Sequence, residues 1–183
     1  MADGARLGPE ARRTAALRER PRHRPIIRSA HDGARLSRIN RLAYFFGVPP
    51  GHGILTTTGC RTGRSRAKTL RVVTRGATAY VVMLRPPDVA IANPDACSGW
   101  VRNLRRDPNV RLKLGRTTFH GRARELTRPD ELESARALLS QTVHLVDYVE
   151  YALHRRGWPT RARVQDLHRY WFDTGIPIAL DLS

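Results

Sequence analysis

Only Cys60 and Cys97 are cysteines in this chain of 183 residues, and only Lys68 and Lys113 are lysines. Two cysteines with no C-x-x-C pair build neither a disulfide framework nor a zinc site. The seven histidines are scattered, with no H-E-x-x-H, so no metal centre is expected. Long apolar runs are missing as well: stretches such as Tyr80 to Leu84 fall far short of the ~20 residues a bilayer demands. The N-terminus is basic but has no apolar core segment, so no secretory signal is expected and a cytoplasmic protein is the default. Acid is in short supply too, with 16 Asp and Glu against 33 Lys and Arg, for a formal net charge of +17. A field of that sign attracts polyanions, which keeps nucleic acid, acidic lipid and an acidic cofactor in play. No Ser-His-Asp or Cys-His set stands out as a nucleophilic centre.

What the chain does have is a strand, a bend and a strand between Gly53 and Val73. Ile54, Leu55 and Thr56 to Thr58 are apolar or β-branched, as are Leu70, Val72 and Val73 on the far side. The bend between them holds Gly59 and Gly63 together with Arg61, Arg64 and Arg66. Glycines let a backbone turn its N–H groups outward, and guanidiniums grip phosphate or carboxylate as planar forks. A loop with both is suited to an anion; the alternative is a solvated basic hairpin tip.

Residues 1–30 read as a disordered basic arm, and 31–183 as a single domain. Positions 1–28 carry eight arginines against Asp3, Glu10 and Glu19, with Pro9, Pro21 and Pro25 and little apolar periodicity. The stripe Leu36, Ile39, Leu42, Ala43 and Phe46 predicts a helix that Gly47 and Pro49 end. Strands are expected near 67–74 and 78–84, followed by a short helix that Ser98 caps and Pro108 stops. A hairpin spans 110–114 and 117–126, its second arm alternating Phe119, Gly121 and Ala123 with His120, Arg122 and Arg124. Thr127 to Asp130 resembles a helix start, and helical periodicity then runs from Leu132 through Leu153. A last short helix through Val164, Leu167 and Tyr170 leads to a closing strand, Ile176 to Leu182, that Pro177 assigns to an edge or a bulge. About six strands with helices between and after them predict an α+β fold with a mainly antiparallel sheet able to curl into a barrel.

The segment T-T-T-G-C-R-T-G-R-S-R, Thr56 to Arg66, resembles the signature of the deazaflavin-dependent nitroreductases, whose coenzyme is F420. Trp100 to Leu104 followed by Asp107-Pro108 is similar to the family's W-x-x-N-L-x-x-x-P helix, and Ile176-Pro177-Ile178 to its closing strand. The hairpin of residues 110–126 and the Asn40, Leu42, Gly47, Pro50 stretch match in order as well. The resemblance implies a split β-barrel of the flavin-reductase type with flanking helices and a helical C-terminal region. It also implies that Arg61, Thr62, Gly63, Arg64 and Arg66 hold the phosphate and acidic tail of F420. Lys68, Thr69 and Leu70, and Val82, Met83 and Leu84, would then lie along the deazaflavin, with Trp100 and Asn103 walling the groove. Trp100 has packing as its competing role.

A deazaflavin carries out hydride transfer itself, so the protein need only bind it, place the acceptor and steady developing charge. Tyr148 and Tyr151, three apart on the late helix, are the candidate proton donors to the acceptor, with core packing as the competing role. The implied activity is an F420H2-dependent oxidoreductase acting on quinone-, nitro- or enone-like acceptors. FMN in the same barrel, a non-catalytic cofactor binder and a basic nucleic-acid-binding protein are the alternatives. A small-molecule acceptor, a homodimer and a weak peripheral contact with acidic membrane are the partners this reading allows, with no specific nucleic acid. Two departures stand out: the signature's first basic position is Cys60, and its glycine turn is replaced by Leu84-Arg85-Pro86-Pro87.

Overall fold

The computed structural model describes residues 8–18, 44, 47–85 and 96–183. The sequence-predicted helix at 36–46 falls outside them apart from Tyr44, as do Pro86 and Pro87 of the altered turn. Seven strands are described: β1 His52–Thr58, β2 Ser65–Arg71, β3 Val73–Arg75, β4 Thr78–Met83, β5 Asn109–Leu114, β6 Thr117–Glu125 and β7 Ile176–Leu182. The helices are α1 Pro9–Arg18, α2 Gly99–Arg106, α3 Pro129–Gln141, α4 Leu145–His154 and α5 Arg161–Thr174.

All pairings are antiparallel, in the order β2-β1-β5-β6-β7-β4-β3. The two outer strands of that order, β2 and β3, are halves of one segment that bends at Val72. The sheet is thereby led back onto itself, which makes the fold an α+β split barrel. The uninterrupted strand expected at 67–74 is broken at Val72, whose N–H donates to Gly51 O, one residue ahead of β1, at 2.8 Å.

Leu55, Val81, Leu112, Ile178 and Leu180 fill the inside of the sheet, where Val101 and Leu104 of α2 reach them. Alternation along β4 sends Val81 and Met83 to this core, while Val82 packs on a second cluster with Leu139 and Phe172 under α3 and α5. The helical periodicity of 132–153 is interrupted at 142–144, so that α3 and α4 are separate elements. Pro177 lies in a strand with neighbours on both sides, contrary to the edge expected for it. The β6 ladder stops at Ile178↔Glu125, so the missing N–H of Pro177 falls just past its end.

Within the arm read as disordered, residues 9–18 form α1, with Ala16 buried and Arg12 2.9 Å from Glu133 of α3. Alanine and arginine favour helix, and Pro9 suits the first turn. Ser98 sits at the N-cap of α2, but its side chain makes no capping bond. Nor does Thr127 cap α3, where Arg128 holds the N-cap and Pro129 opens the helix. No helix among the described residues is long and apolar enough to cross a membrane.

Candidate cofactor-binding and active site

The bend joining β1 to β2 is a tight turn built on one carbonyl. Gly59 O accepts from Gly63 N at 2.8 Å and Thr62 N at 3.2 Å, while Gly59 N donates to Arg64 O at 2.9 Å. Gly63 has φ +63°, a conformation that side chains disfavour, and a Cβ on Gly59 would sit 3.0 Å from Arg64 O. Both glycines are therefore dictated by the turn. Arg61, Arg64 and Arg66 are exposed, and none has an acidic partner among the described residues.

Asn103 of α2 holds this bend to the barrel. It is 7% exposed, accepts from Cys60 N at 3.0 Å and donates to Thr57 Oγ1 at 3.0 Å. Trp100, one turn earlier, is 8% exposed and belongs to the core, which places it as an anchor for α2.

Residues paired across an antiparallel ladder share a face. The register Thr57↔Arg66, Leu55↔Lys68 and Gly53↔Leu70 therefore puts Arg66, Lys68 and Leu70 in one row on the Leu55 side. Lys68 is half-buried there with no carboxylate partner among the described residues, and burial lowers its pKa. Thr69 is buried on the opposite face. The runs Lys68–Leu70 and Val82–Leu84 are thus split by the pleat: Lys68, Leu70 and Met83 turn to the barrel side, Thr69 and Val82 away from it. Leu84 lies past the end of β4 and is 39% exposed.

The tyrosine pair goes elsewhere. Tyr151 is 4% exposed among Val164 and Leu167, and Tyr148 packs on the same cluster. Their helix α4 is tied to the end of β1–β2 remote from the bend, through Glu150 to His52 at 3.3 Å and Asp147 to Arg71 at 3.4 Å. The seven residues of β1 put roughly 20 Å between the two ends.

Sequence reasoning missed the polar groups at this far end. His52 and Glu150 are 98 positions apart, and no motif links them. The same holds for Arg71, whose Nη2 donates to Leu139 O at 3.1 Å and Thr142 O at 2.6 Å. A cleft of about 430 Å³ opens here, lined by Val48, Pro49, Gly51, His52, Val72, Leu114, Leu138 and His144 among others. A smaller one of about 180 Å³ lies between Leu104, Arg105, Arg124 and Ile178. Of the basic strand, Arg124 is engaged by Glu131 at 2.6 Å and Asp181 at 2.9 Å. No cluster of metal-ligating side chains occurs among the described residues.

The family model described as F420H(2)-dependent quinone reductase matches residues 27–157. No curated protein matches the chain significantly. Among solved structures, an F420-H2 dependent reductase (FDR-A) is 20% identical over 74% of this chain and 96% of its own, with a TM-score of 0.46. One described as a domain-swapped dimer is 19% identical over 83% of this chain and 99% of its own, with a TM-score of 0.49. HutZ, a heme storage protein from Vibrio cholerae, is 15% identical over 80% of this chain and 88% of its own, with a TM-score of 0.43.

Proposed function

Because the chain belongs to the F420H(2)-dependent quinone reductase family, and so is an oxidoreductase that uses coenzyme F420, we propose that it reduces a quinone, with nitro- and enone-like compounds as further acceptors. When bound, the reduced deazaflavin supplies the hydride. The chain's own task is to bind, orient and keep water out. Arg61, Arg64 and Arg66, presented by the Thr62–Gly63 turn, hold the phosphate and the glutamate tail. Asn103 keeps that turn in place. Lys68 and Leu70 continue the same face inward and lie along the ring, where the half-desolvated ammonium of Lys68 gains a counter-charge from an anionic ligand.

One observation carries this reading: three exposed guanidiniums crowd a glycine turn with no acidic partner among the described residues. In a protein whose acids are outnumbered two to one, an external polyanion is the natural partner. Titration of the purified protein with reduced F420, followed by a panel of quinone, nitro and enone acceptors, tests it. The expected result is saturable binding and reoxidation of the coenzyme, fastest with quinones. Binding without reoxidation by any quinone would overturn the acceptor assignment.

A further inference from the structure

Four of the five exposed large apolar side chains among the described residues fall in one short stretch, Leu145, Val149, Leu153 and Trp158. The first three stand four apart on α4, which stacks them in a single stripe, and Leu145 is 89% exposed. The exposed Ala152 lies in the same stripe. Trp158, four residues past the end of α4, is 81% exposed. The packed side of α4 is the other one, through Tyr151 and Asp147. Single apolar residues on a surface are ordinary, but a continuous stripe with a tryptophan beside it marks a docking surface.

The charges around this stripe are sorted by sign. Both acids of α4 turn towards the protein: Asp147 is fully buried, and Glu150 Oε1 lies 3.3 Å from His52 Nε2. The exposed charged residues between positions 141 and 163 are Arg156, Arg161 and Arg163. Arg161 Nη2 donates to Gln141 O at 3.5 Å, just ahead of α4, and Arg163 Nη1 donates to Trp158 O at 3.0 Å, just after it. Carbonyls thus hold two guanidiniums beside the two ends of the apolar stretch. None of the three arginines has an acidic partner among the described residues.

We propose that α4 docks the protein on the surface of an anionic lipid bilayer. Leu145, Val149 and Leu153 enter the boundary between headgroups and acyl chains, Trp158 sits at headgroup level, and Arg156, Arg161 and Arg163 meet lipid phosphates. A helix of 10 residues is about 15 Å long, which suits lying in the interface and not crossing it. A second copy of the chain would cover the stripe only by bringing like charge near like charge, in a molecule of formal charge +17. An anionic bilayer answers the apolar stripe and its basic rim together. Such docking also spares the coenzyme site. The arginine bend lies at the other end of β1, roughly 20 Å away, whereas interfacial helices sink only about 5–10 Å. The inference stands apart from the choice of acceptor.

Flotation of the full chain with lipid vesicles tests this, using phosphatidylcholine alone and phosphatidylcholine with about a quarter phosphatidylglycerol. The anionic vesicles should bind the protein about tenfold or more tightly than the neutral ones. Binding should shift tryptophan emission to the blue, and Trp158→Phe should abolish that shift. The triple variant Leu145→Ser, Val149→Ser, Leu153→Ser keeps the net charge and changes exposed positions alone, so its melting temperature should match the wild type's. Its affinity for anionic vesicles should fall about tenfold or more. Wild-type protein that does not float with anionic vesicles overturns the proposal. So does a triple variant that floats as well as the wild type, because the diffuse charge of the chain then suffices without the stripe. A wild type that is dimeric by light scattering without lipid, with a monomeric triple variant, overturns it as well and assigns the stripe to a second copy.

Discussion

Asn103 shows how much of the site depends on single side chains. Its two bonds join Thr57 on β1 to the N–H of Cys60 in the bend, in a position 7% exposed. Replacing it with leucine keeps the bulk but strands the buried Thr57 hydroxyl and frees the bend. The expected loss is about 2 kcal/mol of folding stability, typical of a buried polar group left unpaired, read from urea unfolding. Coenzyme affinity should fall as well. The arginines of the bend behave in the opposite way. Arg61 and Arg64 are exposed and contribute little to folding, so changing both to alanine should leave stability within about 0.5 kcal/mol. Coenzyme binding should weaken by at least ~2 kcal/mol, two charge-assisted contacts at the low end. Calorimetry with F420 checks this, and unchanged affinity in the folded double variant would remove the bend from the site.

At the scale of elements, the break between α3 and α4 is held by a polar knot. Arg71 covers the last carbonyls of α3, those of Leu139 and Thr142. Asp147, fully buried, accepts from His144 N at 2.7 Å and lies 3.8 Å from His168 Nε2. Burial, reinforced by the Arg71 charge, outweighs the pull of Asp147 and pushes the His168 pKa down to about 3. The unfolded chain takes up a proton near pH 6.5 that the folded one refuses, so stability is full above that pH. It should fall steadily as pH drops from about 6.5 towards 3. Urea midpoints at pH 7, 5.5 and 4.5 measure the slope, and His168→Leu, which cannot titrate, should flatten it. A slope equal to the wild type's in that variant would place the acid sensitivity elsewhere. None of this knot is legible in the sequence, because Arg71, Asp147 and His168 come from three elements far apart in the chain. The hairpin of β5 and β6, the helix carrying Trp100 and the arginine bend are legible, because each rests on local alternation, turn residues or a compact motif. The intermediate case is the run Lys68–Leu70. Resemblance alone assigns it to the cofactor groove, and which members face the barrel depends on the register with β1. The tyrosines are legible only in part for a related reason: spacing puts Tyr148 and Tyr151 on one helical face, and only packing decides that this face meets Val164 and Leu167.

The whole molecule is governed by an excess of positive charge that its own acids only partly answer. Glu125 pairs with Arg105, Glu131 and Asp181 with Arg124, and Asp173 with Arg136, all on or beside the β6–β7 and α3–α5 side. None of these acids meets the bend between β1 and β2. With a formal charge of +17, the remaining guanidiniums repel one another in the folded chain and attract a polyanionic ligand. Salt therefore acts on folding and on binding with opposite signs. Raising ionic strength shortens the screening length from about 30 Å at 0.01 M to about 10 Å at 0.1 M, which relieves the self-repulsion and weakens the attraction together. The melting temperature of the free protein should rise over that range while F420 affinity falls. The Arg61→Ala, Arg64→Ala double variant discriminates the two effects, since it removes two of 33 basic residues but most of the charge at the bend. It should keep nearly the full rise in melting temperature and lose much of the salt dependence of coenzyme binding. Retention of the whole binding slope in that variant would mean that the coenzyme is drawn by the diffuse field of the molecule, with no seat at the bend.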